Sequence, residues 1–194
     1  MTASKEEENS ARPCLCRAFV SRVRNALRGV SFRPRPPAPA AQILFWSTAA
    51  VGIVLDLWTK KAVFEYLRHK PDITIIDGLV RLVMVENPGA AFGIADGQRY
   101  LLMATSVIAL IIIFGILFSS RARQNLLYVV LGLLTAGVCG NLYDRIFNDG
   151  LVRDFIDVYY RQWHWPAFNV ADSMLCIGVG LIIISSFRRS KRPS

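Results

Sequence analysis

Long apolar stretches separated by shorter polar segments dominate the pattern of hydrophobic and polar positions along the chain. Four of them approach the roughly 20 residues that an α-helix needs to cross the hydrocarbon core of a bilayer. They are Ala41–Leu57, Tyr100–Ser119, Leu126–Tyr143 and Ala171–Phe187. A β-barrel would need alternating strands of about 10 residues, and a small soluble domain would seldom need four such core helices. The pattern therefore predicts an all-α membrane protein with four transmembrane helices.

Composition agrees with a membrane protein and excludes several other classes. The chain of 194 residues is 53% apolar and 19% charged, whereas soluble domains average about 45–50% and about 25%. A net charge of +9 on so hydrophobic a chain excludes a disordered protein and disfavours a soluble nucleic-acid binder. The four cysteines and two histidines lack paired metal-ligand spacing, so we expect no disulfide framework and no metal site.

The distribution of Lys and Arg predicts the topology. If both termini lie on one side of the membrane, that side carries most of the basic residues, in residues 1–41, 120–125 and 188–194. The same segments contain only three acidic residues. The positive-inside rule therefore places both termini in the cytoplasm.

The chain divides into a membrane domain, residues 41–188, and two basic tails, residues 1–40 and 189–194. The first tail is rich in Arg and Pro. It could lie on an anionic leaflet, or it could be a solvated arm that only reinforces the topology. We predict no catalytic role for it.

A small β-sheet is predicted between the first two helices. Ile73–Ile76 and residues 79–85 have strand composition, and Asp77-Gly78 between them supplies a tight turn. We expect this sheet outside the membrane, close to the helix ends. It could be a structural cap, or it could hold an extended peptide by strand-type hydrogen bonds.

Polar residues gather at the predicted outer ends of three helices and in the segment before the fourth. They are Asp56, Lys60, Asn141, Asp144, Arg145, Asp154, Asp157, Asn169 and Asp172. Ionisable residues near the hydrocarbon region are costly and usually face a bundle interior or a cavity. Their convergence at one membrane level therefore indicates a functional site.

Structural roles would explain part of this pattern. Asn169 is a good helix N-cap, and an acidic residue in the first turn, such as Asp172, favours the positive end of the helix. The neighbouring charges could form ordinary ion pairs, Asp144 with Arg145 and Asp56 with Lys60.

Chemistry narrows the functional classes. Asp157 is expected to be solvated. Because His164 is expected to be isolated, serine and cysteine mechanisms lack a base and a metal mechanism lacks ligands. Two carboxylates remain as an acid–base pair. A proton-coupled carrier and an assembly subunit that pairs through the glycine-rich third helix are alternatives. The first usually shows internal repeats, which we do not find, and the second leaves the outer aspartates unexplained.

Five short motifs, in order, resemble those of the bacterial lipoprotein signal peptidase (signal peptidase II) family. They are Asp56-Leu-Trp-Thr-Lys60, Asn87-Pro-Gly-Ala-Ala-Phe-Gly93, Gly140-Asn-Leu-Tyr-Asp-Arg145, Val152-Arg-Asp-Phe155 and Phe168-Asn-Val-Ala-Asp172. Each alone is weak, but five in order are very specific, and they cover the chain from about residue 42 to 188. The long first tail departs from the family pattern. A Gly-x-Gly-Asp string, expected of another family of intramembrane aspartyl proteases, does not occur.

The resemblance implies four transmembrane helices with a small extracytoplasmic sheet, and an aspartyl endopeptidase that needs no cofactor and no metal. It assigns the catalytic dyad to Asp154 and Asp172. The supporting or substrate-binding residues that it implies are Asp56, Lys60, Asn87, Gly89, Asn141, Arg145, Asn169 and Ala171.

The implied reaction removes the signal peptide of a prolipoprotein just before a cysteine that already carries diacylglycerol. One ionised aspartate would take a proton from water, while the other, protonated, would hydrogen-bond the peptide carbonyl. The partners are then prolipoproteins and membrane lipid, not nucleic acid, and we expect a monomer in the bacterial inner membrane with its active site on the extracytoplasmic side. The loop from Asn87 to Gly93 is expected to bind the extended substrate, or to be a plain turn.

Overall fold

The computed structural model describes residues 37–89, 95–120 and 125–190. Its helices are α1 (Pro39–Leu67), α2 (Arg99–Ser119), α3 (Asn125–Phe147) and α4 (Val170–Ser190). Its strands are β1 (Ile73–Ile76), β2 (Val80–Asn87), β3 (Val152–Tyr160) and β4 (Trp163–His164). Most of the first predicted tail lies outside the described residues, as do residues 191–194 and most of the predicted substrate loop.

Three helices, α1, α2 and α3, are long and apolar enough to cross a membrane. They confirm three of the four predicted apolar spans by length and composition. The apolar part of α4, Val170–Ser185, is shorter, so a fourth span stays a prediction.

Helix α3 packs against each of the other three helices. Small residues permit this close approach: at Gly132, an added Cβ would lie 2.8 Å from the Thr48 Cβ and 2.9 Å from the Phe45 carbonyl oxygen of α1. Backbones that approach so closely gain van der Waals contact, which drives helix association where lipid removes the hydrophobic effect. Helix α3 is therefore the central element of the bundle.

The buried side chains of α1 change in character along the helix. At its start, Ala41 and Phe45 pack in an apolar cluster with the end of α2 and the start of α3. The same buried stripe continues through Ala49 and Gly52 to the charged residues Asp56 and Lys60 in the second half of the helix. The bundle thus has an apolar end and, one helix length away, a polar end.

The strands form one antiparallel sheet in the order β1-β2-β3-β4. The first two confirm the predicted hairpin, and Gly78 at its turn has φ +71°, a conformation that suits glycine. Placing the whole sheet between the first two helices was wrong, however, because β3 and β4 come from the segment between α3 and α4. Charged residues interrupt the apolar alternation of β3, so its strand pattern is weak in the sequence.

Candidate active site

Asp154 lies on β3 and is only 2% exposed. Its Oδ2 accepts a hydrogen bond of 2.9 Å from the Asn87 side-chain amide at the end of β2. Its Oδ1 accepts one of 2.7 Å from the Asn169 side-chain amide, which lies just before α4. Two amides from two different elements therefore fix the orientation of this carboxyl group.

Asp172 lies in the first turn of α4 and forms a capping box with Asn169. The Asp172 backbone N–H donates to the Asn169 Oδ1 over 3.0 Å, and the Asn169 backbone N–H donates to the Asp172 Oδ2 over 3.2 Å. The predicted capping role is thus confirmed. Asn169 caps the helix and contacts Asp154 at the same time. Its side-chain oxygen caps α4, and its side-chain nitrogen donates to Asp154.

Asn141 on α3 joins the two aspartates. Its Nδ2 donates to the Asp172 Oδ1 over 2.8 Å, and its Oδ1 accepts from the Asn169 Nδ2 over 3.1 Å. Amides carry no charge, so they hold both carboxyl groups without fixing either one in its ionised form. Asp154 and Asp172 are therefore brought together in one amide network.

The surroundings of Asp154 raise its pKa to about 6. Burial is the main cause, because it disfavours the charged form, and the negative charge of Asp172 acts in the same direction. The hydrogen bonds from Asn87 and Asn169 and the charge of Lys60 oppose the rise. Near neutral pH this carboxyl group can therefore gain or lose a proton.

Lys60 on α1 lies beneath this network, with its side chain fully buried. Its Nζ is 2.8 Å from the Asp56 Oδ2 and 3.3 Å from the Asp144 Oδ2. It also donates to the Asn141 Oδ1 over 3.0 Å. The predicted Asp56–Lys60 pair is therefore not a surface pair but part of a buried cluster that ties α1 to α3.

Asp56 also reaches α4. Its Oδ1 accepts the backbone N–H of Ala171 over 2.8 Å, and both residues are fully buried. Gly140 of α3 lies against Asp56, where an added Cβ would overlap the carboxyl group. Position 140 therefore requires glycine. The bond to Ala171 lets Asp56 fix the start of α4, where Asp172 lies.

Arg153 is a member of the polar cluster that the sequence reasoning missed. An ion pair of Asp144 with the adjacent Arg145 was one open interpretation, but Asp144 binds Arg153 instead: its Oδ1 is 2.6 Å from the Arg153 Nη2, and its Oδ2 accepts the Arg153 backbone N–H over 3.0 Å. Because Arg153 directly precedes Asp154, this contact fixes the start of β3. The i,i+3 spacing of Asn141 and Asp144 on α3 was the available signal.

Arg145 binds the loop that follows β2. Its Nη2 donates to the Gly89 carbonyl oxygen over 3.1 Å. The Gly89 N–H in turn donates to the Asn87 Oδ1 over 2.9 Å. Asn87 therefore has the predicted role of a turn cap through its oxygen and, in addition, a bond to Asp154 through its nitrogen that the sequence did not predict.

Asp157 is not solvated, contrary to expectation. It is 5% exposed, and its Oδ2 lies 2.6 Å from the Arg81 Nε and 3.1 Å from the His164 Nδ1. The expectation that His164 is isolated was wrong for the same reason. The hydrogen bond from Arg81 to Asp157 raises the pKa of Arg81. These three side chains join β2, β3 and β4 on the sheet.

Every predicted site residue is thus linked to another by a hydrogen bond or ion pair. The ten come from three helices, two strands and two connecting segments, which explains why no single motif was specific. Within the described ranges, no group of three or more His, Cys, Asp or Glu side chains is arranged to hold a metal ion. Chemically, the arrangement offers two carboxyl groups linked through the Asn141 and Asn169 amides, above a buried charged cluster.

Comparisons with known proteins find a matching family model and similar proteins. The family model described as signal peptidase (SPase) II matches residues 48–188. The lipoprotein signal peptidase of Sulfurihydrogenibium sp. (strain YO3AOP1) is 46% identical over 147 residues, covering 73% of this chain and 89% of the relative. That of Syntrophus aciditrophicus (strain SB) is 39% identical over 157 residues, covering 78% and 97%.

Two solved structures resemble the fold. One, described as a bacterial membrane enzyme at 2.3 Å resolution, has a TM-score of 0.73 and 28% identity, covering 83% of this chain and 96% of that one. The other, a bacterial membrane enzyme at 1.9 Å resolution, has a TM-score of 0.64 and 29% identity, covering 78% and 95%. The similarity extends over nearly the full length of both structures.

Proposed function

The chain belongs to the signal peptidase II family, and on that premise we propose that it is an aspartyl endopeptidase with Asp154 and Asp172 as its catalytic pair. Its substrates are prolipoproteins whose lipobox cysteine carries diacylglycerol, and the cut falls just before that cysteine. The observation that carries the proposal is the amide network, which holds two carboxyl groups from β3 and α4 together without a cation on either.

In the proposed mechanism one carboxyl group of the pair is ionised and the other is protonated. The ionised member takes a proton from a water molecule, whose oxygen attacks the carbon of the scissile peptide bond. The protonated member donates a hydrogen bond to the carbonyl oxygen, and a proton then passes to the leaving amine as the C–N bond breaks. The pKa of about 6 at Asp154 supports its part in this proton transfer, because burial and the charge of Asp172 allow this carboxyl group to gain or lose a proton near neutral pH.

The remaining polar residues position the pair. Asn87, Asn141 and Asn169 orient the carboxyl oxygens directly. The charged cluster below them fixes α3 through the contacts of Lys60 with Asn141 and Asp144, and the start of α4 through the bond of Asp56 to the Ala171 N–H. We assign these residues no proton transfer.

The loop after β2 supports the site and, we propose, borders the substrate. The Gly89 N–H is already bonded to Asn87, so Gly89 stabilises the loop and does not offer this donor to a peptide. Residues 90–93, where the sequence suggested further open backbone, lie outside the described residues. We accordingly propose that Asn87 orients Asp154 and does not bind the substrate.

We also propose four membrane spans with α4 as the fourth, both termini in the cytoplasm and the carboxyl pair on the extracytoplasmic side. The excess of Lys and Arg near the termini supports this orientation. In a chain freed of its native cysteines, Cys placed at the exposed positions Asp96 and Asp149 should react with an impermeant reagent from outside, and Cys at Ser194 should not. The reverse labelling would contradict the topology.

The decisive test of the function uses one prolipoprotein in two forms, with and without diacylglycerol on its cysteine. The purified chain should release the signal peptide only from the lipidated form. Equal cleavage of both forms would contradict the lipid requirement, and cleavage at another bond would contradict the assigned reaction.

A further inference from the structure

The end of the β-sheet remote from Asn87 has two unlike faces. Residues directly opposite each other in an antiparallel ladder lie on the same face, so the strand register separates the two sets. One set of opposed pairs is wholly apolar. It consists of Ile76 with Val80, Val80 with Val158, and Tyr160 with Trp163. We call these side chains, with Ile156, the apolar face.

The other set of opposed pairs is polar. It consists of Thr74 with Arg81, Arg81 with Asp157, and Tyr159 with His164. The Arg81 side chain remains 34% exposed and that of His164 44% exposed while both bind Asp157. Arg81 and His164 thus reach water on this polar face and cover Asp157, which is 5% exposed.

A sheet that offers one polar face to water normally packs its other face against apolar material. On the apolar face, however, Ile76, Tyr160 and Trp163 are 51%, 61% and 59% exposed. The large, rigid rings of Tyr160 and Trp163 lie at the tip of the β3–β4 hairpin. An apolar partner is therefore needed to cover this face.

The position of the apolar face points to lipid as that partner. Alternate residues of a strand share a face, so Asp154 lies on the same side of β3 as Ile156, Val158 and Tyr160. The face thus runs outward from the polar end of a membrane-embedded bundle. At that end, α1 exposes Trp58 and α2 exposes Tyr100, by 65% and 71%.

The side-chain types agree with this position. Trp and Tyr are enriched where protein meets the boundary between hydrocarbon and water. Arg161, at the hairpin turn, lies with its guanidinium carbon 5.3 Å from the centre of the Tyr160 ring, and a guanidinium group can bind lipid phosphate. We propose that the apolar face rests on the membrane surface beside the bundle, with Trp163 and Tyr160 in the lipid and the polar face turned to water. This proposal does not depend on the catalytic assignment.

Tryptophan quenching in vesicles tests the proposal. The chain with Trp163 as its single tryptophan, the other three replaced by Phe, is reconstituted into phosphatidylcholine–phosphatidylglycerol vesicles with or without bromine on the acyl chains. Bromine quenches only on contact, so brominated lipid should remove about half of the Trp163 emission, as expected for an interfacial residue. Acrylamide in the water should quench it weakly.

The matched control moves the probe to the polar face. With all native tryptophans replaced and Thr74→Trp introduced, brominated lipid should have almost no effect, while acrylamide should quench strongly. If the single-tryptophan chain does not fold, the difference in quenching between the natural chain and its Trp163→Phe variant isolates the same signal with one substitution.

Three results would overturn the proposal. Trp163 could be no more sensitive to brominated lipid than Trp at position 74. It could be shielded from both quenchers in a manner that depends on protein concentration, which would mean a second copy covers it. It could also become shielded only when prolipoprotein is added, which would mean that the face binds substrate.

Discussion

Two pairs of aspartates lie at the polar end of the bundle and differ in what holds them. Asp154 and Asp172, the amide-held pair, accept hydrogen bonds from side-chain amides and a backbone N–H. Asp56 and Asp144, the cation-held pair, lie within 3.3 Å of the Lys60 ammonium group. The same residue type therefore occurs in two electrostatic settings, joined by Asn141, which donates to Asp172 and accepts from Lys60.

This difference suggests that the amide-held pair serves acid–base chemistry and that the cation-held pair serves stability. The cation-held pair forms ion pairs with Lys60, and removing that cation would leave both carboxylates buried without their partner. At Asp154 the neutral amides oppose the effect of burial only in part, so its pKa is raised. We therefore expect substitutions in the amide-held pair to affect turnover and substitutions around the cation-held pair to affect stability.

The largest effect on activity is expected in the amide-held pair. Asp154→Asn and Asp172→Asn should each lower kcat by about 100-fold to 10,000-fold or more, because an amide cannot transfer the proton. The protein should still insert and unfold cooperatively. Cleavage of a lipidated prolipoprotein and thermal unfolding, measured on the same preparation, check both statements.

The control for these variants is Asp149→Asn. Asp149 is exposed and has φ +49°, a conformation that Asn adopts readily, so activity should remain near that of the natural chain. Full activity in either variant of the amide-held pair would remove that residue from the dyad.

The largest effect on stability is expected in the cation-held pair. Lys60→Met should lower the free energy of unfolding by about 3–5 kcal/mol, because it leaves two buried carboxylates without their cation. The neighbouring Lys61→Met is the matched control, since the Lys61 side chain is 70% exposed and a surface pair contributes at most about 1 kcal/mol. Equal unfolding midpoints for the two variants would contradict the distinction between the pairs.

Removing one amide should affect activity and its pH dependence together. Asn87→Ala should lower kcat/KM by a factor equivalent to about 1–3 kcal/mol, because it leaves a buried carboxyl oxygen without its donor. The Asn87 bond stabilises the ionised form and lowers the pKa of Asp154, so its loss should move the limb of the pH–rate profile that reports Asp154 to higher pH. A lower melting temperature with an unchanged profile would reduce Asn87 to a turn residue.

The smallest effect is expected at Asp157, a third cation-held aspartate. Asp157→Asn should lower the free energy of unfolding by about 1 kcal/mol, because it weakens a partly exposed pair with Arg81. The folded fraction should keep most of its kcat. A loss of turnover as large as that of Asp154→Asn, without a loss of stability, would mean that the role of Asp157 extends beyond the sheet.

Sequence predicted the parts of this molecule that depend on local pattern. Three apolar spans and the β1–β2 hairpin followed from stretch length and from Asp77-Gly78. The ten site residues were predicted from the resemblance to a family. Their convergence was predicted because polar residues fall at one membrane level. The ion-pair partner of Asp144 was not predictable from the sequence. Asp144 binds Arg153 and not the adjacent Arg145, because its partner depends on how β3 packs on α3. Asp157 was misjudged for the same reason, since its partners come from β2 and β4.

The double use of Asn169 has a consequence for how the protein is made. One amide caps α4 and holds Asp154, so the start of this helix and the carboxyl pair form together or not at all. Helix α4 is also the last described element to leave the ribosome, and it carries Asp172. The proposed dyad therefore stays incomplete until the whole membrane domain is synthesised and packed, which would protect the cell from a partly inserted, unselective protease.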